Sequence, residues 1–146
     1  MHPFPHHYSV VAKADTQGDV ALEGERLPPI MSAPPTEFGG PGDRWSPETL
    51  FVAAVADCFV LTFRGIAGLS RFSWVSLECD VTGTVERVDR VTQFTALEIR
   101  ARLKVPSGAN EEQARRLLTK AEETCLVTNS LKVQPRLESV VEIEQP

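Results

Sequence analysis

The sequence is poor in the residues that mark most specialised chemistries. It has three cysteines, an odd number, with no C-x-x-C pair and no paired Cys/His spacing, so neither a secreted disulfide framework nor a zinc site is expected. Its histidines, His2, His6 and His7, all fall in the first seven residues. A cysteine hydrolase would have to draw its general base from that terminus, which argues against such an enzyme. No Lys/Arg cluster interrupts a mildly acidic balance of 15 basic against 20 acidic residues, so neither nucleic acid nor a membrane is an expected partner. The longest apolar run, Leu50 to Phe63, is too short to span a bilayer and carries Asp57 within it. No basic segment followed by an apolar one opens the chain. The expectation is a cytoplasmic protein with no metal and no bound cofactor.

What is present is enough for one domain. A chain of 146 residues can bury a real core. The composition divides it into a flexible, Pro- and His-rich start at 1–7 and a single domain over 8–146. β-like segments are expected at Tyr8–Lys13, Asp19–Leu22 and Arg26–Ser32, with Pro28 and Pro29 holding the third at an edge or bulge. A Pro/Gly-rich loop, Pro34 to Asp43, then leads to a helix. Ser46 is placed as its N-cap, Pro47 falls at the first helical position, and Trp45 and Leu50 are spaced as a hydrophobic staple. This helix is apolar on nearly every face, reads as buried all round, and is expected to end near Gly65 to Gly68.

Two long stretches alternate strictly. Val75, Leu77, Cys79, Val81, Gly83 and Val85 occupy one face of the first, and Thr95, Leu97, Ile99, Ala101, Leu103 and Val105 one face of the second. Such alternation marks half-buried antiparallel strands, here joined at Val88-Asp89-Arg90. An amphipathic helix follows, capped by Asn110, with Ala114, Leu117, Leu118, Ala121 and Cys125 on its apolar face. A last strand is expected over Lys132 to Glu144, with Val133, Leu137, Val141 and Ile143 facing inward. The order βββ-α-ββ-α-β is that of an α+β fold, with antiparallel sheets packed around a buried central helix and a second, amphipathic one.

Cys79, between Leu77 and Val81 on an apolar strand face, reads as a small hydrophobe. Cys58 reads equally as packing in an apolar helix or as a reactive thiol. Cys125, near a helix C-terminus whose partial charge disfavours thiolate, looks like packing when taken alone.

A resemblance separates these alternatives. Ser46-Pro47-Glu48-Thr49-Leu50-Phe51, continued by Ala54, Ala56, Asp57, Cys58 and Phe59, resembles the (N/S)-P-E-x-L-(F/I)…A-x-x-A-x-C-F signature of the OsmC/Ohr family, the osmotically inducible and organic hydroperoxide resistance proteins. Cys125-Leu126-Val127-Thr128-Asn129-Ser130-Leu131 resembles the family's second cysteine segment, with Leu126 where proline is common. The resemblance implies an intertwined homodimer with thiol peroxidase activity toward organic hydroperoxides. Cys58 would be the peroxidatic cysteine, Cys125 the resolving one, Glu48 a member of the active-site network, and a dithiol reductant a second partner. Glu48 and Cys58 are ten residues apart, about 15 Å on a straight helix. Either the helix start bends or, as we favour, Glu48 serves the partner's thiol. The family's arginine near the N-terminal hairpin has no counterpart in Asp15-Thr16-Gln17-Gly18, which leaves Arg44 as the candidate cation and Arg26 as the second. The competing reading is a non-catalytic dimer of the same fold that binds an apolar small molecule.

Overall fold

The computed structural model describes residues 1–145. Its first unit, Met1–Phe51, is built on three short strands, β1 (Val11–Lys13), β2 (Val20–Glu23) and β3 (Ile30–Ser32), paired antiparallel in chain order. β1 and β3 are shorter than their sequence patterns. Pro28 and Pro29 offer no N–H to a ladder and lie outside β3, as their chemistry demands. After β3 the chain makes one 3-10 turn, Thr36–Phe38, inside a loop closed by its own hydrogen bonds. Phe38 N and Gly40 N both donate to Pro35 O at 2.9 Å, and Gly39 N donates to Thr36 O at 3.0 Å. Gly40 is obligatory here, since an added Cβ would lie 1.5 Å from the Pro34 carbonyl oxygen.

Helix α1 (Pro47–Leu69) starts in this unit and runs on into the second. Ser46 caps it as expected. Its hydroxyl accepts from Thr49 N at 3.1 Å, and its own N–H donates to Thr49 Oγ1 at 2.8 Å. This is the reciprocal arrangement of a capping box, with threonine where glutamate is usual.

The second unit, Val52–Pro146, holds a three-stranded sheet in the order β4 (Ser76–Val88), β5 (Val91–Val105), β6 (Arg136–Ile143). β4 and β5 form the long hairpin expected. Asp89 and Arg90, with φ of 50° and 69°, make its two-residue turn, whose left-handed backbone matches the twist of the strands. Leu97, Ile99, Ala101, Leu103 and Val105 are 0–3% exposed. The opposite face carries Arg100 and Arg102 among Glu78, Glu98, Glu138 and Glu142, a band of exposed ion pairs each contributing little. Gly83 lets α1 approach the sheet, because a Cβ there would come within 2.8 Å of Val52 and 2.6 Å of Phe94. One expectation fails at β6, which pairs parallel to β5 rather than antiparallel. It is also shorter than expected, leaving Val133 outside it, and Ile143 is 41% exposed. The parallel pairing requires a crossover. Helices α2 (Glu111–Thr124), which packs on β6, and α3 (Leu126–Asn129) supply it. Asn110 caps α2 as expected, its Oδ1 accepting from Gln113 N at 3.0 Å.

α1 differs from its expectation in two ways. Within this chain only Val55, Phe59, Phe63 and Ala67 are fully buried, one stripe at four-residue spacing, while Leu61 and Leu69 are 51% and 90% exposed. A single three-stranded sheet covers one side of a helix, so apolar composition all round does not become burial all round. The helix also runs past Gly65 and Gly68. It ends in a Schellman motif, with Arg71 N bonded to Gly68 O and Phe72 N to Ala67 O, and with Arg71 at φ 52° in the position glycine usually takes. At 23 residues and a mean hydropathy of 1.9 over its most apolar window, α1 is long and apolar enough to cross a membrane by length and composition alone, longer than the apolar run suggests.

Candidate functional site

Two of the three cysteines, Cys58 and Cys125, come together. Cys58 lies on α1, half-buried, one turn before Thr62, whose hydroxyl is 3.8 Å from its sulfur. Cys125 is 1% exposed and marks the joint where α2 ends and α3 begins. Its extended backbone (ψ 116°) breaks the helix, and the restart leaves the first N–H groups of α3 without partners inside the helix. The N–H groups of Val127 and Leu126, with the Cys125 thiol, act on the Cys58 thiol from this joint.

These contacts set the two thiols apart. Burial pushes Cys58 up, but hydrogen bonds from Cys125, the Val127 N–H, the Thr62 hydroxyl and the Leu126 N–H outweigh it and hold the thiol below its ordinary value. Burial pushes Cys125 up, and donating to Cys58 pushes it further, against weaker opposing bonds from the Thr128 N–H and hydroxyl. The pair therefore favours one thiolate, on Cys58, with Cys125 the proton-bearing donor. A nucleophile and a thiol close enough to capture its oxidised form is the minimum equipment for two-cysteine redox chemistry. Beside the sulfur lies an open cleft of about 400 Å³, lined by Ala54, Asp57, Leu61, Thr62, Leu126 and Val127, most of them apolar.

The groups that lower Cys58 are a thiol, a hydroxyl and two backbone N–H groups. Arg44 is engaged within the first unit, its Nε 2.8 Å from Asp19 and an Nη 3.2 Å from Asp43, and both carboxylates raise it. Glu48 sits in the first turn of α1, ten residues from Cys58 in sequence, with its Oε1 buried and without a hydrogen-bond partner among the described residues. Cys79 is half-buried on β4, and burial first, then Asp80 and Cys125, push its thiol up to about 11. Thr62 escaped sequence reasoning, although a lone hydroxyl four residues after Cys58 on an apolar helix was a readable signal. The N–H donors of Leu126 and Val127 were not readable, because they exist only through the helix break at Cys125.

The family model described as OsmC-like protein matches residues 40–140. The uncharacterized protein YmaD of Bacillus subtilis (strain 168) is 24% identical over 145 residues, 94% of this chain and 96% of its own length. An OsmC-like protein of unknown function from Vibrio cholerae superposes with a TM-score of 0.84 at 18% identity, over 93% of this chain and all of its own. An organic hydroperoxide resistance protein, OsmC, from Legionella pneumophila gives 0.71 at 25% identity, over 94% of this chain and 99% of its own.

Proposed function

Because the chain belongs to the OsmC-like family, we propose that it is a thiol peroxidase in which Cys58 reduces organic hydroperoxides and Cys125 resolves the product. The observation that carries this reading is the opposed pair of thiols, Cys58 held toward thiolate by donors and Cys125 held protonated beside it. The Cys58 thiolate attacks the terminal oxygen of R–O–OH. The O–O bond breaks, the sulfur is oxidised to sulfenic acid, and RO⁻ leaves to take up a proton as the alcohol. The Cys125 thiol then displaces water from the sulfenic acid, forming the Cys58–Cys125 disulfide and guarding Cys58 against further oxidation. A dithiol reductant restores both thiols by exchange. The apolar cleft beside Cys58 favours a peroxide with a carbon body over hydrogen peroxide, since walls such as Leu61 and Val127 bury that body at about 25 cal/mol per Å².

The working unit in this reading is a homodimer. The exposed apolar residues of α1, Leu61 and Leu69 among them, offer the surface for it. In this reading Glu48 and Arg44 enter the chemistry by way of a second copy of the chain. A cycle that returns to free thiols belongs in a reducing compartment such as the cytoplasm.

Titration of free thiols before and after one equivalent of cumene hydroperoxide tests the proposal. Two thiols should disappear in the wild type while Cys79 stays free, and Cys125→Ser should accumulate a trappable sulfenic acid. Thiols that remain unchanged would refute the peroxidase and favour the reading in which the cleft binds an apolar molecule without chemistry.

A further inference from the structure

The cleft beside Cys58 holds a charge that the thiol chemistry does not draw on. Ala54, Asp57, Cys58 and Leu61 follow one another at helical spacing, so one face of α1 brings all four to the cleft. Apart from Cys58 itself, Asp57 is the one ionisable side chain among the lining residues, and it is exposed. A carboxyl group in contact with water carries its negative charge at neutral pH.

The fold gives no reason for an acid at this position. Aspartate is a poor helix former, and mid-helix it lies beyond the reach of the macrodipole. Among the described residues no ion pair or hydrogen bond engages its carboxylate.

The rest of the wall offers an anion nothing in return. Leu61, Leu126 and Val127 are apolar, and the Thr62 hydroxyl is matched to the Cys58 sulfur at 3.8 Å. Arg64, the one base on α1, is two turns beyond Asp57, about 10 Å along the axis. The Arg44 that a second copy would bring is already matched by Asp19 and Asp43, so it does not cancel Asp57. The chain as a whole, at a net charge of -5, adds to the same sign.

We infer that Asp57 makes this cleft selective by charge, turning away anions and admitting neutral molecules. Resting on the peroxidase reading, this narrows the substrate to organic hydroperoxides that carry no carboxylate near the O–O bond. Asp57 is then a specificity residue that takes no part in making or breaking bonds. Coulomb's law for unit charges about 8 Å apart gives roughly twofold in bulk water and roughly thirtyfold at the effective dielectric of a protein surface. An open, wet cleft falls between these limits, at about three- to tenfold.

Two readouts on the full chain keep this inference separable from the peroxidase reading. The first needs no peroxide. Cys58 is alkylated with neutral iodoacetamide or anionic iodoacetate in the wild type and in Asp57→Asn, which keeps the shape of the side chain. The amide-to-acetate rate ratio should be about threefold or more larger in the wild type, and comparing ratios cancels any change in the thiol's own reactivity. That difference should shrink as salt is added and largely vanish in urea, where Asp57 and Cys58 remain neighbours in sequence but the cleft is gone. The second readout is loss of the Cys58 thiol in a single turnover with cumene hydroperoxide carrying a para-carboxylate, or with the methyl ester of the same peroxide. The ester-to-acid ratio should again be about threefold or more larger in the wild type than in Asp57→Asn. Ratios unchanged in Asp57→Asn with either pair of reagents, or an alkylation preference undiminished in urea, would each overturn the inference. If neither peroxide oxidises Cys58 while the alkylation preference holds, the charge filter stands and the peroxidase reading alone falls.

Discussion

The three cysteines should react with an alkylating agent in an order that the structure dictates. Cys79 has its thiol pushed up to about 11 from an ordinary 9.0. At neutral pH, where both values lie well above the solution, two units mean about a hundredfold fewer thiolates than an ordinary cysteine carries. The rarer thiolate is the stronger nucleophile. With a Brønsted slope of about 0.4–0.5 the same two units return roughly a six- to tenfold gain, leaving Cys79 about ten- to fifteenfold slower than an ordinary thiol before its partial burial is counted. Cys58, held below the ordinary value and half-exposed to its cleft, should be the fastest of the three. Cys125, raised and 1% exposed, should be slow. The assay is timed labelling of the folded chain with iodoacetamide, read by peptide mass spectrometry, with the urea-unfolded chain as a control in which the three react at comparable rates. Labelling of Cys58 should level off at a lower pH than that of Cys79, which keeps rising beyond pH 9. Cys79 reacting as fast as Cys58 in the folded chain, or a Cys58 rate still climbing tenfold per unit above pH 9, would refute the assignment of thiolate character to Cys58.

Cys79 also predicts an alkaline weakness. A thiol raised on folding contributes stability that is complete below the unfolded value of 9.0 and is lost as pH rises toward about 11, at most about 2.7 kcal/mol for two units. Urea midpoints of the wild type should fall across that window, and Cys79→Ala should flatten the decline; an equal slope in the variant would disprove the linkage. Arg71 holds a left-handed backbone at the end of α1, where an L side chain costs about 1–2 kcal/mol. Arg71→Gly should therefore stabilise the chain by up to about 1 kcal/mol, after the greater freedom of glycine in the unfolded state is subtracted, and raise Tm by about 2–4 °C. A lowered Tm would show that Arg71 makes a contact worth more than the strain.

Much of the fold could be read locally. Alternation in β4 and β5 gave the buried face because a strand's side-chain period is two whatever it pairs with, and Asn110 and Ser46 gave helix starts because a cap acts over three residues. What failed was not local. The direction in which β6 pairs is set by the crossover before it, and its own alternation is the same either way. The burial of α1 depends on how much surface the rest of the chain can place against it, which a count of apolar residues does not report. The end of α1 was misplaced because glycine is the common terminator, yet Gly65 and Gly68 lie inside the helix and Arg71 ends it. The motif singled out Cys58 and Cys125, whose thiols the fold brings side by side, whereas the ion pair of Arg44 with Asp19 spans 25 positions and has no local signal.

The parallel closure of the second sheet has a consequence for assembly order. β6 pairs with β5 across 38 positions, as in Glu98 with Arg136, and α2 packs on β6 before running into the joint at Cys125. Such long-range pairing forms late, since its loop must close before any contact rewards it. As the chain is synthesised from its N-terminus, Cys58 emerges dozens of residues ahead of the helix break that supplies its donors and of the strand beneath that helix. The nascent chain thus carries Cys58 without these donors until Cys125 and α3 have emerged, and a chain cut short before them keeps the Cys58 helix while lacking the groups that set its thiol apart.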